Sequence, residues 1–236
     1  MIYHVHGGGL VVGTAYDVLP SLAPLALQVG AAIASVEYRL APEHRYPAAV
    51  EDVYRGLEWL AANAASLDLA PDPIIIVGVV AGGGLAAAAA LLARDRGRPR
   101  LLGQMLICPM LDDRNDSESG WQMVGVGAWD RTANETGWAA YLGDTPRADV
   151  PIYAAPGRAT DLSGLPPTFI DVGSAETFRD EDIDYAVRIW RAGGDAELHV
   201  WPGGAHGFDA LVPEAELSRD AKAARARWPK RLLERA

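Results

Sequence analysis

The chain has 236 residues, half of them apolar and 22% charged, which is long enough to bury the core of one α/β domain. A formal net charge of -10 opposes binding to nucleic acid, because phosphate backbones are recognised by a basic protein surface. The single cysteine excludes an internal disulfide, and the sequence opens without the charged-then-apolar pattern of a secretory leader, so we expect a cytoplasmic protein.

Strand and helix patterns alternate along most of the chain. Helices are predicted at about 17–29, at 48–67, from the glycine turn near residue 80 to about 96, at 181–192 and from about 214. Such alternation builds a mostly parallel sheet with helices on both faces. The strands between these helices are predicted at residues 2–6 and 32–38, from residue 74, and at 102–108, 168–172 and 196–201.

The alternation breaks at about residues 112–150, a polar stretch that carries three tryptophans. We expect this stretch to form a cap-like insertion within a single domain of residues 1–236. Ligands of open α/β sheets bind at the carboxyl ends of the strands, so the insertion would lie over that edge.

Residues 74–93 have no charged or polar side chain and would be long enough to cross a bilayer. Four internal glycines, and β-branched residues that end where the alanines begin, favour a buried strand followed by a buried helix instead. The spacing of Gly78, Gly82 and Gly84 also resembles a dinucleotide-binding loop. However, neither lysine follows a tyrosine by four residues, so the Tyr-x-x-x-Lys pair of short-chain dehydrogenases is absent.

The run Gly-Val-Val-Ala-Gly-Gly occupies residues 78–83, between the predicted strand and the alanine-rich helix. A strand, a tight glycine turn and a helix are the layout of a nucleophile elbow, which presents the third residue of Gly-x-Ser-x-Gly to substrate. Here that residue is Val80, which has neither a lone pair for attack nor a proton to give. The sequence therefore predicts the frame of an elbow without its attacking atom.

His-Gly-Gly-Gly at residues 6–9 directly follows the first predicted strand. Glycines leave backbone N–H groups accessible to a ligand, which suits a hole for a developing oxyanion. Because an elbow lies downstream, we favour this interpretation over an ordinary glycine loop.

Residues 37–52 carry several charged side chains beyond the second predicted strand. We expect Arg39, Glu43 and Asp52 to form a hydrogen-bonded network, since charges near a sheet edge are tolerated when they are paired. His44 in the same run is interpreted as a solvated or packed residue rather than as a base.

Glu176 and His206 each follow a predicted strand in the last third of the chain. A carboxylate can hold an imidazole in the right tautomer, and the imidazole can then remove the proton of a nucleophile. The order of elbow, acid and base at positions 80, 176 and 206 is that of α/β-hydrolases. We therefore assign Glu176 as the acid and His206 as the base.

Together these motifs resemble the hormone-sensitive-lipase family of carboxylesterases, from residue 1 to about 210. His-Gly-Gly-Gly at 6–9, Tyr-Arg-Leu-Ala-Pro-Glu at 38–43, the elbow at 78–83 and His-Gly-Phe at 206–208 stand in family order. The resemblance implies an α/β-hydrolase fold with a helical cap. It also implies hydrolysis of small or short-acyl carboxylic esters without a cofactor or a metal.

The resemblance assigns roles residue by residue. The N–H groups of Gly8, Gly9 and Ala81 would donate to the oxyanion. Glu176 would be the acid, at a position where many members have Asp, and His206 the base. The residues that would support the site structurally are His6, Arg39 and Glu43.

Two features depart from the family pattern. The elbow lacks both polar residues of Gly-Asp/Glu-Ser-Ala-Gly-Gly, so no acyl-enzyme can form at position 80, and Cys108 is interpreted as a core residue. Family members also carry a long segment before the His-Gly-Gly-Gly strand, whereas here that motif begins at residue 6. The strand at 32–38 would then lack a neighbour, and an open apolar edge predicts either a homodimer or poor solubility.

Two interpretations of function remain open. In the first, the chain is an esterase by descent whose altered elbow leaves it impaired or inactive, with slow turnover through a water that His206 activates. In the second, it is a non-catalytic binding protein for a small molecule on the same scaffold. Retention of Glu176 and His206 favours the first, since a pure binder needs no tuned base. The apolar pair Val79 and Val80 favours the second.

Overall fold

A computed structural model describes residues 1–70 and 73–235 and contains one six-stranded sheet. Pro71, Asp72 and Ala236, which the predicted single domain includes, lie outside the described residues. All neighbouring strands run parallel, in the order β2-β1-β3-β4-β5-β6. The strands are β1 (Ile2–Val5), β2 (Ile33–Val36), β3 (Ile75–Val79), β4 (Gly103–Ile107), β5 (Thr168–Ala175) and β6 (Ala196–Ala205).

The helices connect these strands and cover the sheet, and α1 packs against α8 while α2 packs against α3. With the parallel sheet, they confirm the predicted α/β class, a mostly parallel sheet with helices on both faces. The helices are α1 (Leu19–Val29), α2 (Ala48–Asn63), α3 (Ala81–Arg96), α4 (Glu118–Gln122), α5 (Arg131–Leu142), α6 (Arg179–Arg191), α7 (Phe208–Leu211) and α8 (Glu216–Leu233).

The composition of β3 explains its position inside the sheet. The β-branched residues of β3 are buried on both faces of the sheet, as expected for a parallel strand between two helix layers. Helix α3 follows at once and is buried from Ala81 to Ala93, because its glycines and alanines allow neighbouring backbones to approach closely. The apolar stretch at 74–93 is therefore a strand and a helix of the core. Among the described residues, no helix combines the length and the hydropathy that crossing a bilayer requires.

The boundaries of the elements differ from the predictions in places that matter for the site. Strand β5 extends to Ala175 and β6 to Ala205, so Glu176 and His206 each follow directly on the last residue of a strand. Helices α4 and α5 lie between β4 and β5, in the stretch predicted as an insertion. The helix predicted at 48–67 is α-helical to Asn63 and ends in a single 3₁₀ turn.

Strand β2 lies at one edge of the sheet and pairs only with β1 among the described residues. All four of its residues are half-buried, because α1 and α2 cover part of its surface. Pairing of this edge with a second chain stays a prediction.

Candidate active site

Val80 occupies the turn between β3 and α3 with backbone angles of φ 56° and ψ -119°. A positive φ is rare for any residue with a side chain and is strained for a β-branched one. The backbone nevertheless holds this shape: the N–H of Val80 donates to the carbonyl of Ile107 at 2.9 Å, and its carbonyl accepts from Met110 at 3.0 Å. The turn therefore keeps this strained backbone at a position whose side chain cannot react.

The close approach of α3 to the first strand depends on Gly82. A β-carbon at this position would lie 2.2 Å from the carbonyl oxygen of Val5 and 2.3 Å from that of His6. No real β-carbon tolerates such contacts with backbone atoms. The glycine therefore places the start of α3 beside the His-Gly-Gly-Gly loop.

The three predicted oxyanion donors lie on two elements that this contact brings together. Gly8 and Gly9 belong to the loop after β1, and Ala81 is the first residue of α3, where the helix dipole favours negative charge. Within residues 1–70 and 73–235, none of their N–H groups donates to a backbone carbonyl. At Gly9 a β-carbon would lie 2.2 Å from the indole of Trp129, so only glycine fits under that ring.

Glu176 and His206 form a hydrogen-bonded pair. The Nδ1 atom of His206 lies 3.0 Å from both carboxylate oxygens of Glu176. The carboxylate is buried, whereas the imidazole keeps 14% of its side chain exposed. A proton held on Nδ1 by the carboxylate leaves Nε2 free to accept one. The structure therefore places the predicted acid and the predicted base in hydrogen-bond contact.

Buried charges tie the loop that carries His206 to the sheet. The guanidinium of Arg225 on α8 donates to Asp171 on β5 at 2.8 Å and also to Asp209, three residues after His206. Asp171 is fully buried and also accepts from the indole of Trp201 at 3.0 Å. This network was not predicted, because partners 54 residues apart leave no local pattern in the sequence.

Two of the three residues predicted to support the site structurally, His6 and Arg39, interact with neighbouring residues in the structure. The imidazole of His6 is buried, stacks on Tyr38 with ring centroids 4.1 Å apart, and bonds the carbonyl of Gly7 through Nδ1 at 2.8 Å. Burial lowers the pKa of His6, which favours the neutral ring. Arg39 forms a two-bond ion pair with Asp52 at 2.7 and 2.8 Å.

The prediction of a three-residue network is wrong for Glu43. Its side chain is exposed and makes no hydrogen bond or ion pair with any described residue. Solvent satisfies an exposed carboxylate, so its place in a charged run required no protein partner. His44 is exposed, as predicted for a solvated residue.

Sequence reasoning missed two neighbours of the acid and base pair. Trp129, in the stretch between α4 and α5, lies with its ring centroid 6.2 Å from that of His206. Cys108 is buried, as predicted, but a polar atom from each of Cys108, Glu176 and His206 lies within 4.8 Å of the others. The sequence did contain a signal for Cys108, because it directly follows a strand and the site gathers at strand ends.

A groove of about 950 Å³ lies between α1 and α8 and reaches Val80 of the elbow. Its apolar lining includes Leu22 and Leu25 of α1 and the side chains at the elbow. Both lysines of the chain, Lys222 and Lys230, line the same groove from α8. Its lining at the strand ends comes from Val79, Val80, Ile107 and Cys108.

Comparison with known proteins places this geometry in a family. A family model described as the alpha/beta hydrolase fold matches residues 2–210. The carboxylesterase NlhH of Mycobacterium tuberculosis (strain ATCC 25618 / H37Rv) is 36% identical over 221 residues, which cover 91% of this chain and 69% of that protein. An arylesterase of Saccharolobus solfataricus is 30% identical and covers 88% of this chain and 68% of its own length.

Solved structures agree with the sequence matches. A bacterial heroin esterase superposes with a TM-score of 0.95 at 42% identity, over 98% of this chain and 74% of that one. The esterase LipW from Mycobacterium marinum superposes with a TM-score of 0.93 at 37% identity, over 98% and 73%. The chain therefore belongs to the hormone-sensitive-lipase-like family of α/β-hydrolase esterases.

Proposed function

We propose that this chain is a carboxylic-ester hydrolase for small or short-acyl esters whose turnover is impaired by Val80. The observation that carries the proposal is the pair formed by Glu176 and His206, at 3.0 Å, beside an elbow that keeps its strained backbone. A triad without its nucleophile retains the means to polarise an ester and to move a proton. It lacks only the atom at position 80 that would attack the ester.

The remaining groups define what the site does to an ester. The N–H groups of Gly8, Gly9 and Ala81 would donate to the carbonyl oxygen as charge develops on it. The Nε2 atom of His206 would take a proton from a water, with Glu176 stabilising the imidazolium that forms. Loss of the nucleophile from an intact triad lowers kcat by about 10⁶-fold, so turnover through water alone is expected to be slow.

We propose that the stretch at 112–150 acts as the cap of the site. Its Trp129 contacts both the predicted oxyanion loop and the imidazole of His206. A hydrophobic wall at this point would exclude water from the acyl group and shape the pocket for a small ester.

A non-catalytic binding role is the second candidate. The groove between α1 and α8 has room for a small molecule and meets apolar side chains at Val79 and Val80, where an esterase of this family has polar ones. A binding protein would keep the groove without needing the proton transfer that Glu176 and His206 support.

A substitution that supplies the missing atom separates the two candidates. We expect Val79→Asp with Val80→Ser to raise hydrolysis of p-nitrophenyl acetate by about 10⁴- to 10⁶-fold over the chain as it stands. Val126→Ser, which places the same new hydroxyl at an exposed position, is expected to leave the rate unchanged. A folded double variant that stays at the background rate would contradict ester hydrolysis through the elbow, and rapid turnover by the unsubstituted chain would contradict the proposed impairment by Val80.

A further inference from the structure

Cys108 is the residue after β4, and backbone hydrogen bonds hold it between the elbow and the acid. Its N–H donates to the carbonyl of Asp171 on β5 at 2.7 Å. On its other side, Ile107 accepts from the N–H of Val80, and Met110 donates to the carbonyl of Val80. The strand order thus places the chain's only thiol between residue 80 and the pair formed by Glu176 and His206.

The thiol lies next to this pair. Its sulfur, a ring nitrogen of His206 and a carboxylate oxygen of Glu176 all lie within 4.8 Å of one another. Hydrogen bonds at reactive sites are often longer without substrate and shorten when substrate binds. Cys108 also belongs to the lining of the groove, together with Val80 and Gly207.

The surroundings keep this thiol neutral. Burial raises the pKa of Cys108 well above its usual range, and the charges of Glu176, Asp171 and Asp182 raise it further. A neutral thiol, like a neutral hydroxyl, attacks a carbonyl when a base removes its proton during the attack. His206, oriented by Glu176, is placed to be that base.

We propose that Cys108 is the acyl acceptor of this chain, in the role that a residue at position 80 would otherwise fill. This inference rests on the proposed ester hydrolysis. The sulfur attacks the ester carbonyl while its proton passes to Nε2 of His206. The tetrahedral intermediate then expels the alcohol, which takes that proton, and a Cys108 thioester remains. Water attacks the thioester with His206 again as base, and the carboxylic acid and the free thiol are released.

The test begins with the unsubstituted chain, so it does not depend on the folding of a variant. The protein is incubated with p-nitrophenyl acetate and quenched in acid, and the acetylated peptides are identified by mass spectrometry. We expect acetyl on the peptide that contains Cys108, released by neutral hydroxylamine as a thioester is, and strongly reduced in His206→Ala.

Two variants measure the share of the turnover that passes through the sulfur. We expect Cys108→Ala to lower the residual hydrolysis at least about 10-fold, a difference of about 1.4 kcal/mol in barrier. Cys108→Ser is expected to lower it as well, and any adduct it forms would resist neutral hydroxylamine because it is an oxygen ester. Circular dichroism and the unfolding temperature establish that both variants are folded.

The outcomes for Cys108 and for the elbow are independent. If Cys108 stays unmodified and folded Cys108→Ala retains full residual turnover, the thiol proposal is overturned, even where Val79→Asp with Val80→Ser gains activity and upholds ester hydrolysis. If that double variant stays inactive while Cys108 of the unsubstituted chain is acetylated in a reaction that requires His206, the thiol proposal is upheld. The proposal that a nucleophile at position 80 supports ester hydrolysis is then contradicted.

Discussion

The two halves of the candidate site are held in place by different kinds of interaction. The elbow half is made of backbone: Gly82, the strained turn at Val80 and hydrogen bonds to β4 define it, and its side chains are apolar. The acid and base half is made of buried charge, with Glu176 paired to His206 and Asp171 paired to Arg225.

This difference explains why the elbow keeps its shape without a nucleophile. Backbone geometry set by glycines does not depend on the side chain at residue 80, whereas the other half exists only through its side chains. The apolar side chain at residue 80 therefore leaves the backbone of this turn in place. Loss of a charged side chain in the other half would leave a buried charge without its partner, which is costly.

The largest expected effect comes from neutralising the acid after a nucleophile has been supplied. In the Val79→Asp, Val80→Ser chain, we expect Glu176→Gln to lower kcat by about 10³- to 10⁴-fold, because the amide no longer holds the imidazole in the reactive tautomer or stabilises its charged form. Initial rates with p-nitrophenyl acetate measure the loss. Glu43→Gln makes the same chemical change at an exposed position and should have no effect, and equal rates for both variants would contradict the assigned role of Glu176.

The next largest effect concerns the elbow half of the site. We expect Gly82→Ala to lower the free energy of unfolding by about 3 kcal/mol or more, because the new methyl group would press on the carbonyls of Val5 and His6. Urea denaturation measures this. Gly120→Ala is the control, since its methyl group meets only side-chain atoms, at 3.2 Å or more. If both variants were equally stable, the contact between α3 and the glycine loop would not be a constraint.

The smallest effect concerns a carboxylate that neighbours the charged half. Asp182 on α6 is fully buried, and neither of its oxygens has a hydrogen-bond partner among the described residues. Burial raises the pKa of Asp182, and the charges of Glu181, Glu176 and Asp171 raise it further. The unfolded chain therefore releases this proton at lower pH than the folded one. Stability is fully present below the unfolded pKa and is lost as pH rises toward the folded pKa.

We therefore expect Asp182→Asn to stabilise the protein at pH 7 by about 1 to 3 kcal/mol, with a gain that shrinks toward about pH 4. Unfolding temperatures measured across this range test both the sign and the trend. Asp184→Asn on the same helix changes an exposed carboxylate paired with Arg188 and should alter stability by less than about 1 kcal/mol at any pH. A destabilised Asp182→Asn at pH 7 would indicate that this carboxylate has a partner it needs.

Most of the framework could be predicted from local patterns. The alternation of strand and helix patterns located all six strands of the described sheet. The order of positions 80, 176 and 206 predicted a site where these strands end, because parallel strands bring their carboxyl ends to one edge. An insertion was expected at 112–150, and the family resemblance implied a helical cap, but the positions of α4 and α5 were not predicted, since their polar, tryptophan-bearing sequence lacks a regular apolar period.

Contacts between distant segments could not be predicted from these patterns. The ion pair of Arg225 with Asp171 and the approach of Trp129 to Gly9 depend on how whole elements pack. Glu43 was overinterpreted, because a charge next to other charges needs no partner when water can reach it. Cys108 was assigned to the core correctly, but its distance from His206 follows from the order of the strands and not from its own neighbours in sequence.

The distribution of amines has a practical consequence for handling this protein. Both lysines of this sequence belong to α8 and line one groove. Reagents that couple dyes, beads or sensor surfaces to lysine side chains will therefore react along this groove rather than scatter over the surface. Protein immobilised in this way would present a blocked pocket, and a ligand screen would report an absence of binding that the coupling chemistry had created.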